Sequence, residues 1–385
     1  MSVSKITILI LFLGFSTNYA QENKSYLDPP KIIESFGANE KYHPENRTGT
    51  GIPSIAISKN GRLWAVWYAG ITKGNIVERC PNNYVVISTS DDNGNSWEEV
   101  LVIDPDEMGP IRAFDPEIWF DPEGKLWIFW AQQIRSIDKI MSGVWAITTE
   151  EGDNSKPNWS APRRLADGVM MCKPTVLNSG EWVLPVSYWH KKEESARVIV
   201  SNDKGKHWHD IGFVKIPLDA KNFDEHMVIE KSDGTLSMWV RTNYGIGEST
   251  STDRGKTWST LKKAKVSHTS SRFFLRKLRS GKILLVKHGP ISIQTGRSHL
   301  MAFISEDDGQ SWSNGLLIDG RSDVSYPDGD QSEDGTIFLT YDYSRNDKQH
   351  ILMTSFKEDD ILASTSDISI WKVYNNRKII SDGGR

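Results

Sequence analysis

The chain has almost no cysteine. Cys80 and Cys172 are the only two, so a disulfide framework does not hold the fold together, and a single bridge between them is the most that could form. Neither lies in a Cys-x-x-Cys or Cys/His cluster, which argues against a structural zinc site; no metal or other cofactor is expected. Positive charge is not in excess either. The formal net charge is -4, which leaves no basic field to hold nucleic acid. After the first residues no apolar run approaches the ~20 residues of a spanning helix, so no membrane insertion is expected. Helical periodicity is missing as well.

What is present begins with a leader pattern. Lys5 precedes the short apolar run Ile6 to Gly14, and the small residue Ala20 closes it. This reads as a signal peptide over residues 1–20 and predicts a secreted or periplasmic product. Residues 21–45 read as a lead-in segment, and residues 46–385 as one large all-β domain, expected to be a monomer.

The chain also carries 15 tryptophans, and two interlocking repeats supply places for them. The first is Ser-x-Asp-x-Gly-x-(Ser/Thr/His)-Trp. It appears as Ser90-Asp-Asp92-Asn-Gly94-Asn-Ser96-Trp97 and Ser201-Asn-Asp203-Lys-Gly205-Lys-His207-Trp208. It returns as Ser251-Thr-Asp253-Arg-Gly255-Lys-Thr257-Trp258 and Ser305-Glu-Asp307-Asp-Gly309-Gln-Ser311-Trp312. The period is even apart from one doubled interval, which a degenerate copy ending at Trp159 divides. An Asp in a tight turn accepts backbone N–H groups and Gly supplies a positive φ. These residues are therefore structural, and each Trp is predicted to fold back onto its own hairpin.

The second repeat is an apolar strand, a polar turn with glycine, and another apolar strand. Its glycines are Gly61, Gly124, Gly180, Gly234, Gly281 and Gly335. Six short-strand units at this period predict a six-bladed β-propeller.

With these boxes and this period, nearly all of the chain after the leader resembles the sialidase superfamily. The resemblance implies a central pocket with three arginines on a substrate carboxylate, an Asp acid/base, and a Tyr nucleophile partnered by a Glu. Tyr326, in Val-Ser-Tyr-Pro-Asp, matches the nucleophile, and Glu225 its partner. Arg241 and Arg297 match the second and third arginines. Two positions depart from the pattern. The Arg-Ile-Pro signature reads Gly51-Ile52-Pro53, and the segment from Trp67 to Asn83 contains no Asp; Glu78 is its one acidic residue, next to Arg79.

Other charges open the inner-strand units, where a propeller faces its central opening: Arg112, Asp115, Lys173, His226, Arg272 and Asp328. Strand alternation sends Glu225 and His226 to opposite faces. Tyr188, Trp189 and His190 form a candidate sugar-stacking wall, with His190 a candidate acid/base. Several guanidinium groups around one cavity imply an anionic ligand, so the expected partner is an acidic oligosaccharide.

Three functions follow as expectations. The favoured one is β-elimination at a uronate, by a polysaccharide lyase or an oligosaccharide dehydratase. It would use Tyr326 as base or acid, Arg241, Arg297 and Arg272 on the carboxylate, and His226, His190 or Lys173 as partner. It needs no Asp acid. The second is sialidase-like retaining hydrolysis, with Tyr326 as nucleophile, Glu225 as its base, and Glu78 or Asp115 as acid. The third is a glycan-binding propeller without catalysis.

Overall fold

A computed structural model describes residues 25–34, 40–71, 80–107, 109–135, 140–189, 194–363 and 367–383. Residues 1–20, which the sequence reads as a signal peptide, lie outside them. Six antiparallel sheets form a ring, as the repeats predict. The first blade runs outward from the axis through Gly49–Ile57, Leu63–Gly70, Tyr84–Ser90 and Glu98–Asp104. The second runs through Ile111–Phe120, Leu126–Arg135, Ile140–Thr149 and Arg163–Asp167. In the third, Val169–Met170 and Thr175–Val176 both pair with Trp182–Ser187, followed by Glu194–Ser201 and His209–Lys215. The innermost strands of the last three blades are His226–Glu230, Phe274–Lys277 and Val324–Gln331.

The second strands explain the apolar runs. Leu63–Gly70 is buried throughout, because each blade is covered on both faces by its neighbours. Such a strand reads as continuous apolar sequence rather than as alternation. The segment read as a lead-in is partly built into this structure: Lys31–Ile33 adds a fifth strand to the outer edge of the first blade. No helix among the described residues is long and apolar enough to cross a membrane.

Among the described residues no strand is shared between the first and last blades, and side chains join them instead. Asp342, Asp328 and Asp330 accept the backbone N–H groups of Ile52, Ile55 and Ile57 at 3.1, 3.0 and 3.1 Å. Gln349 donates to the Thr48 carbonyl at 3.0 Å and its own carbonyl accepts from Thr50 at 2.6 Å. Cys80 and Cys172 are both buried free thiols, so the single bridge that the sequence allows is not formed.

The box aspartates staple their turns. Asp92 accepts the backbone N–H of Asn95 and Ser96, both at 2.9 Å, and the Ser96 hydroxyl at 2.7 Å. The tryptophans fold back as expected, with Trp258 Nε1 donating to the Gly255 carbonyl of its own box at 2.9 Å, and they also pack into the seam with the preceding blade. Trp312 of the fifth blade meets Trp239 of the fourth with ring centroids 6.0 Å apart, and Trp159 of the second meets Trp64 of the first at 5.9 Å. Trp208 and Trp258 lie against clusters that include Trp127 and Val183, each one blade back. A ring removes more surface from water between two sheets than on one exposed hairpin.

These turns also bring a pH dependence. The Thr257 hydroxyl and backbone N–H hold the Asp253 carboxyl down at about 2, and the Ser311 hydroxyl and backbone do the same for Asp307. An unfolded Asp titrates near ~3.9. A depressed carboxylate contributes stability that is full above the unfolded value and lost as pH falls through the folded one. The melting temperature should therefore drop between pH ~4 and ~2. Asp253→Asn should flatten that limb; an unchanged slope would remove the box carboxylate as its cause.

Candidate functional site

Three inner strands open on the same device. Gly49–Ile57, Ile111–Phe120 and Val324–Gln331 each carry a bulge, with register shifts between Gly51 and Ser54, Phe114 and Glu117, and Ser325 and Asp328. At each bulge a non-glycine residue takes a left-handed conformation: Ile52 at φ 54°, Asp115 at φ 48° and Tyr326 at φ 51°. A proline follows each of them. A bulky residue with positive φ is strained, and such strain collects where a side chain must be aimed at a site. Asp224, just before Glu225, shares this conformation at φ 55°.

The bulge places the Tyr326 hydroxyl against Glu225 Oε1, to which it donates at 3.0 Å. Arg241 Nη1 donates to the same carboxylate oxygen at 2.7 Å and to the Tyr326 oxygen at 3.2 Å. All three side chains are buried. Burial opposes the Arg241 charge, but Glu225 and Tyr326 more than offset it and raise its pKa, so Arg241 stays a cation. The Arg297 guanidinium lies 5.5 Å from the Tyr326 ring centre. The sequence reading omitted one further neighbour: Arg345, 4.5 Å over the same ring. A phenol, a carboxylate and three guanidiniums thus meet at one point.

An aromatic wall stands beside this cluster. Trp189 packs on Phe114 at 5.8 Å and on Phe223 at 5.6 Å, and Arg241 lies over Phe223 at 5.0 Å. Arg112 is stacked on Phe114 at 3.8 Å and donates to Gln133 at 2.6 Å. Tyr188 turns away to stack with Arg197 at 3.5 Å, so only Trp189 of that pair joins the wall. Asp115 occupies the second blade's bulge, the counterpart of Tyr326. His190 and Glu78 lie outside the described residues.

Three candidates are placed elsewhere. Lys173 Nζ sits deep in the axis, 2.9 Å from Asp328 and 2.8 and 2.6 Å from the carbonyls of Ile55 and Ile118. Arg272, buried throughout, lies 2.8 Å from Glu117 and 3.1 Å from Asp328. Two cations and two carboxylates make a balanced plug beneath the site. Burial pushes the Glu117 carboxyl up to about 7, against the pull of Arg272. His226 is buried on the face opposite Glu225, with Nδ1 2.9 Å from the Asp224 carbonyl and Nε2 2.7 Å from the Arg197 carbonyl. Burial lowers its pKa. The sequence grouped these residues with the substrate because a charge opening an apolar strand marks the axis; depth along the axis has no sequence signal.

At the opposite end of the axis, a cavity of about 410 Å³ is lined by Lys59, Arg276 and Arg279 with Asp121, Asp330 and Glu333. Its charges are mixed in sign.

A six-bladed ring with a Tyr–Glu–Arg cluster at its mouth is the arrangement that the sequence resemblance implies. The chain belongs to the BNR repeat-like domain family, whose model matches residues 61–339. Among solved structures it is similar to the Hadza microbial sialidase Hz136, at 19% identity and a TM-score of 0.65, covering 82% of this chain and 67% of that one. It is also similar to the intramolecular trans-sialidase from Ruminococcus gnavus, at 14% identity and a TM-score of 0.63, covering 85% and 98%. A third is the α-L-arabinanase of Penicillium chrysogenum, at 14% identity and a TM-score of 0.58, covering 84% and 96%. No curated protein matches the sequence with significance. At these identities the likeness to solved structures carries the fold, and the reaction has to be argued from the site.

Proposed function

We propose that the protein is a retaining exo-glycosidase that removes a terminal acidic sugar, with Tyr326 as nucleophile. The observation that carries this reading is the hydrogen bond from the Tyr326 hydroxyl to Glu225 Oε1 at 3.0 Å. It gives the phenol a base at hydrogen-bond reach, which an attacking hydroxyl requires. As the Tyr326 oxygen bonds to the anomeric carbon, its proton passes to Glu225 and the bond to the leaving alcohol breaks. Arg241 stabilises the charge that develops on the phenolic oxygen. Water then displaces Tyr326, giving one proton back to the acid that served the leaving alcohol, while Tyr326 recovers its own from Glu225. The product keeps its anomeric configuration.

Arg241 contacts the attacking oxygen at 3.2 Å, and Arg297 and Arg345 lie over the ring that carries it, so an anion held by this group lies close to the reacting carbon. A sugar whose carboxylate is borne on the anomeric carbon, a 2-ulosonic acid, fits this arrangement. A terminal uronic acid carries its carboxylate beyond the ring oxygen. The elimination favoured on sequence loses support from placement: Lys173 and Arg272 belong to the axial plug, and His226 faces away from the pocket. The deciding experiment offers a 2-ulosonic acid glycoside and a terminal glucuronide. Release of the intact acid from the first supports hydrolysis. An unsaturated uronate from the second, seen by its ultraviolet absorbance, would overturn it.

The leaving alcohol takes a proton from Asp115 or Glu78. Asp115→Asn should cost ~10²–10⁴ in kcat on an alkyl glycoside. It should cost far less on a p-nitrophenyl glycoside, whose leaving group needs no proton. Equal rates before and after substitution on the alkyl glycoside would pass the role to Glu78.

A further inference from the structure

Gly51 stands where the resemblance calls for the first arginine, and the space beside it is filled. A Cβ at Gly51 would collide with Arg345 Cδ, and it would lie 3.0 Å from Arg345 Cγ and 2.9 Å from the Tyr68 hydroxyl. Gly51 is not one of the glycines with positive φ. Close approach of another side chain, not backbone geometry, is what its missing side chain permits.

Arg345 arrives from the sixth blade, in the connection between Ile337–Tyr343 and His350–Phe356. Its Nε lies 3.1 Å from Asp342 and its Nη2 donates to the Ser325 hydroxyl at 3.2 Å. Asp342 also accepts the Ile52 N–H at 3.1 Å and the Ser325 hydroxyl at 2.6 Å. One buried carboxylate therefore fixes both the backbone next to Gly51 and the guanidinium that crosses it. The side chain keeps 11% of its surface exposed while the guanidinium covers the Tyr326 ring.

We propose that Arg345 is a substrate-binding residue that has taken over, from the sixth blade, the anion grip vacated at position 51. The inference rests on the hydrolase reading and adds an orientation to it. Arg241, Arg297 and Arg345 come from the fourth, fifth and sixth blades: Arg241 near the end of its second strand, Arg297 just before its third, and Arg345 in the connection between the second and third. The carboxylate is gripped on that half of the mouth. The rest of the sugar lies toward the first three blades, where Phe114 and Trp189 stand. Specificity for the acid thus depends on a residue outside the usual motif.

The test compares the parent with R345A, G51R and the double variant G51R/R345A. Each is measured for melting temperature and for turnover of a 4-methylumbelliferyl ketoside of N-acetylneuraminic acid and of its C1 carboxamide. R345A should lose ~10- to 10²-fold in kcat/KM on the acid, the range for a charged hydrogen bond, and little on the amide. G51R should lower the melting temperature, because two side chains compete for one space. The double variant should regain both stability and turnover of the acid. Equal losses on acid and amide would make Arg345 merely structural and overturn the proposal. So would a G51R defect as large without Arg345 as with it. A parent that turns over neither ketoside defeats the hydrolase reading instead, and the melting temperatures still decide whether positions 51 and 345 share one space.

Discussion

Tyr326→Phe should abolish turnover while leaving the fold intact. The substitution removes one oxygen, and that oxygen forms the bond to the anomeric carbon. Without it the covalent intermediate on this residue cannot form. A fall in kcat of ~10³-fold or more is expected, the scale at which losing a nucleophile leaves only the surrounding binding and electrostatics. Stability should change little. Glu225 keeps its 2.7 Å contact with Arg241, so the variant strands no buried charge, and one lost hydrogen bond costs ~0.5–1.5 kcal/mol. Binding of the acid should persist, since the guanidiniums remain. A variant that retains its rate would remove Tyr326 from the chemistry.

The opposite pattern is expected at the axial plug. Asp328→Ala leaves Lys173 and Arg272 without the carboxylate they share at 2.9 and 3.1 Å. Asp328 also accepts the Ser54 hydroxyl at 2.7 Å and the Ile55 N–H at 3.0 Å, so the seam between the first and last blades is opened at the same stroke. Breaking a buried pair costs ~3–5 kcal/mol, because the partner charge is left uncompensated. Urea unfolding should shift to a much lower midpoint, with KM of the folded fraction unchanged. A normal midpoint with a raised KM would mean instead that Lys173 and Arg272 reach the substrate, as the sequence alone suggested.

The architecture was legible because the repeats are local. A glycine turn and an aspartate staple at a fixed period define a blade whatever its neighbours do, and six of them close into a ring. The tryptophan seams were not legible, since which sheet a ring meets depends on how blades stack. At the site, Tyr326, Glu225, Arg241 and Arg297 could be picked out because each sits in a motif at the mouth. Arg112, Lys173 and Arg272 show the same surface signal, a charge opening a strand. Lys173 and Arg272 differ from Arg112 in sharing Asp328, with Glu117 against Arg272, a meeting of blades that no local pattern records. Arg345 was invisible for a related reason. It lies in Asp-Tyr-Ser-Arg345, between two strands, and its meaning appears only once Gly51 is found beneath it.

Mass spectrometry of a trapped intermediate tests the central claim most directly. A glycosyl fluoride of a 2-ulosonic acid with a second fluorine next to the anomeric carbon should form the covalent species and then hydrolyse slowly. The account predicts one added sugar per chain, found on the peptide that contains Tyr326 and missing in Tyr326→Phe. A sugar attached to another residue, or full turnover of the 2-ulosonic acid glycoside with no adduct and with inverted product, would contradict it.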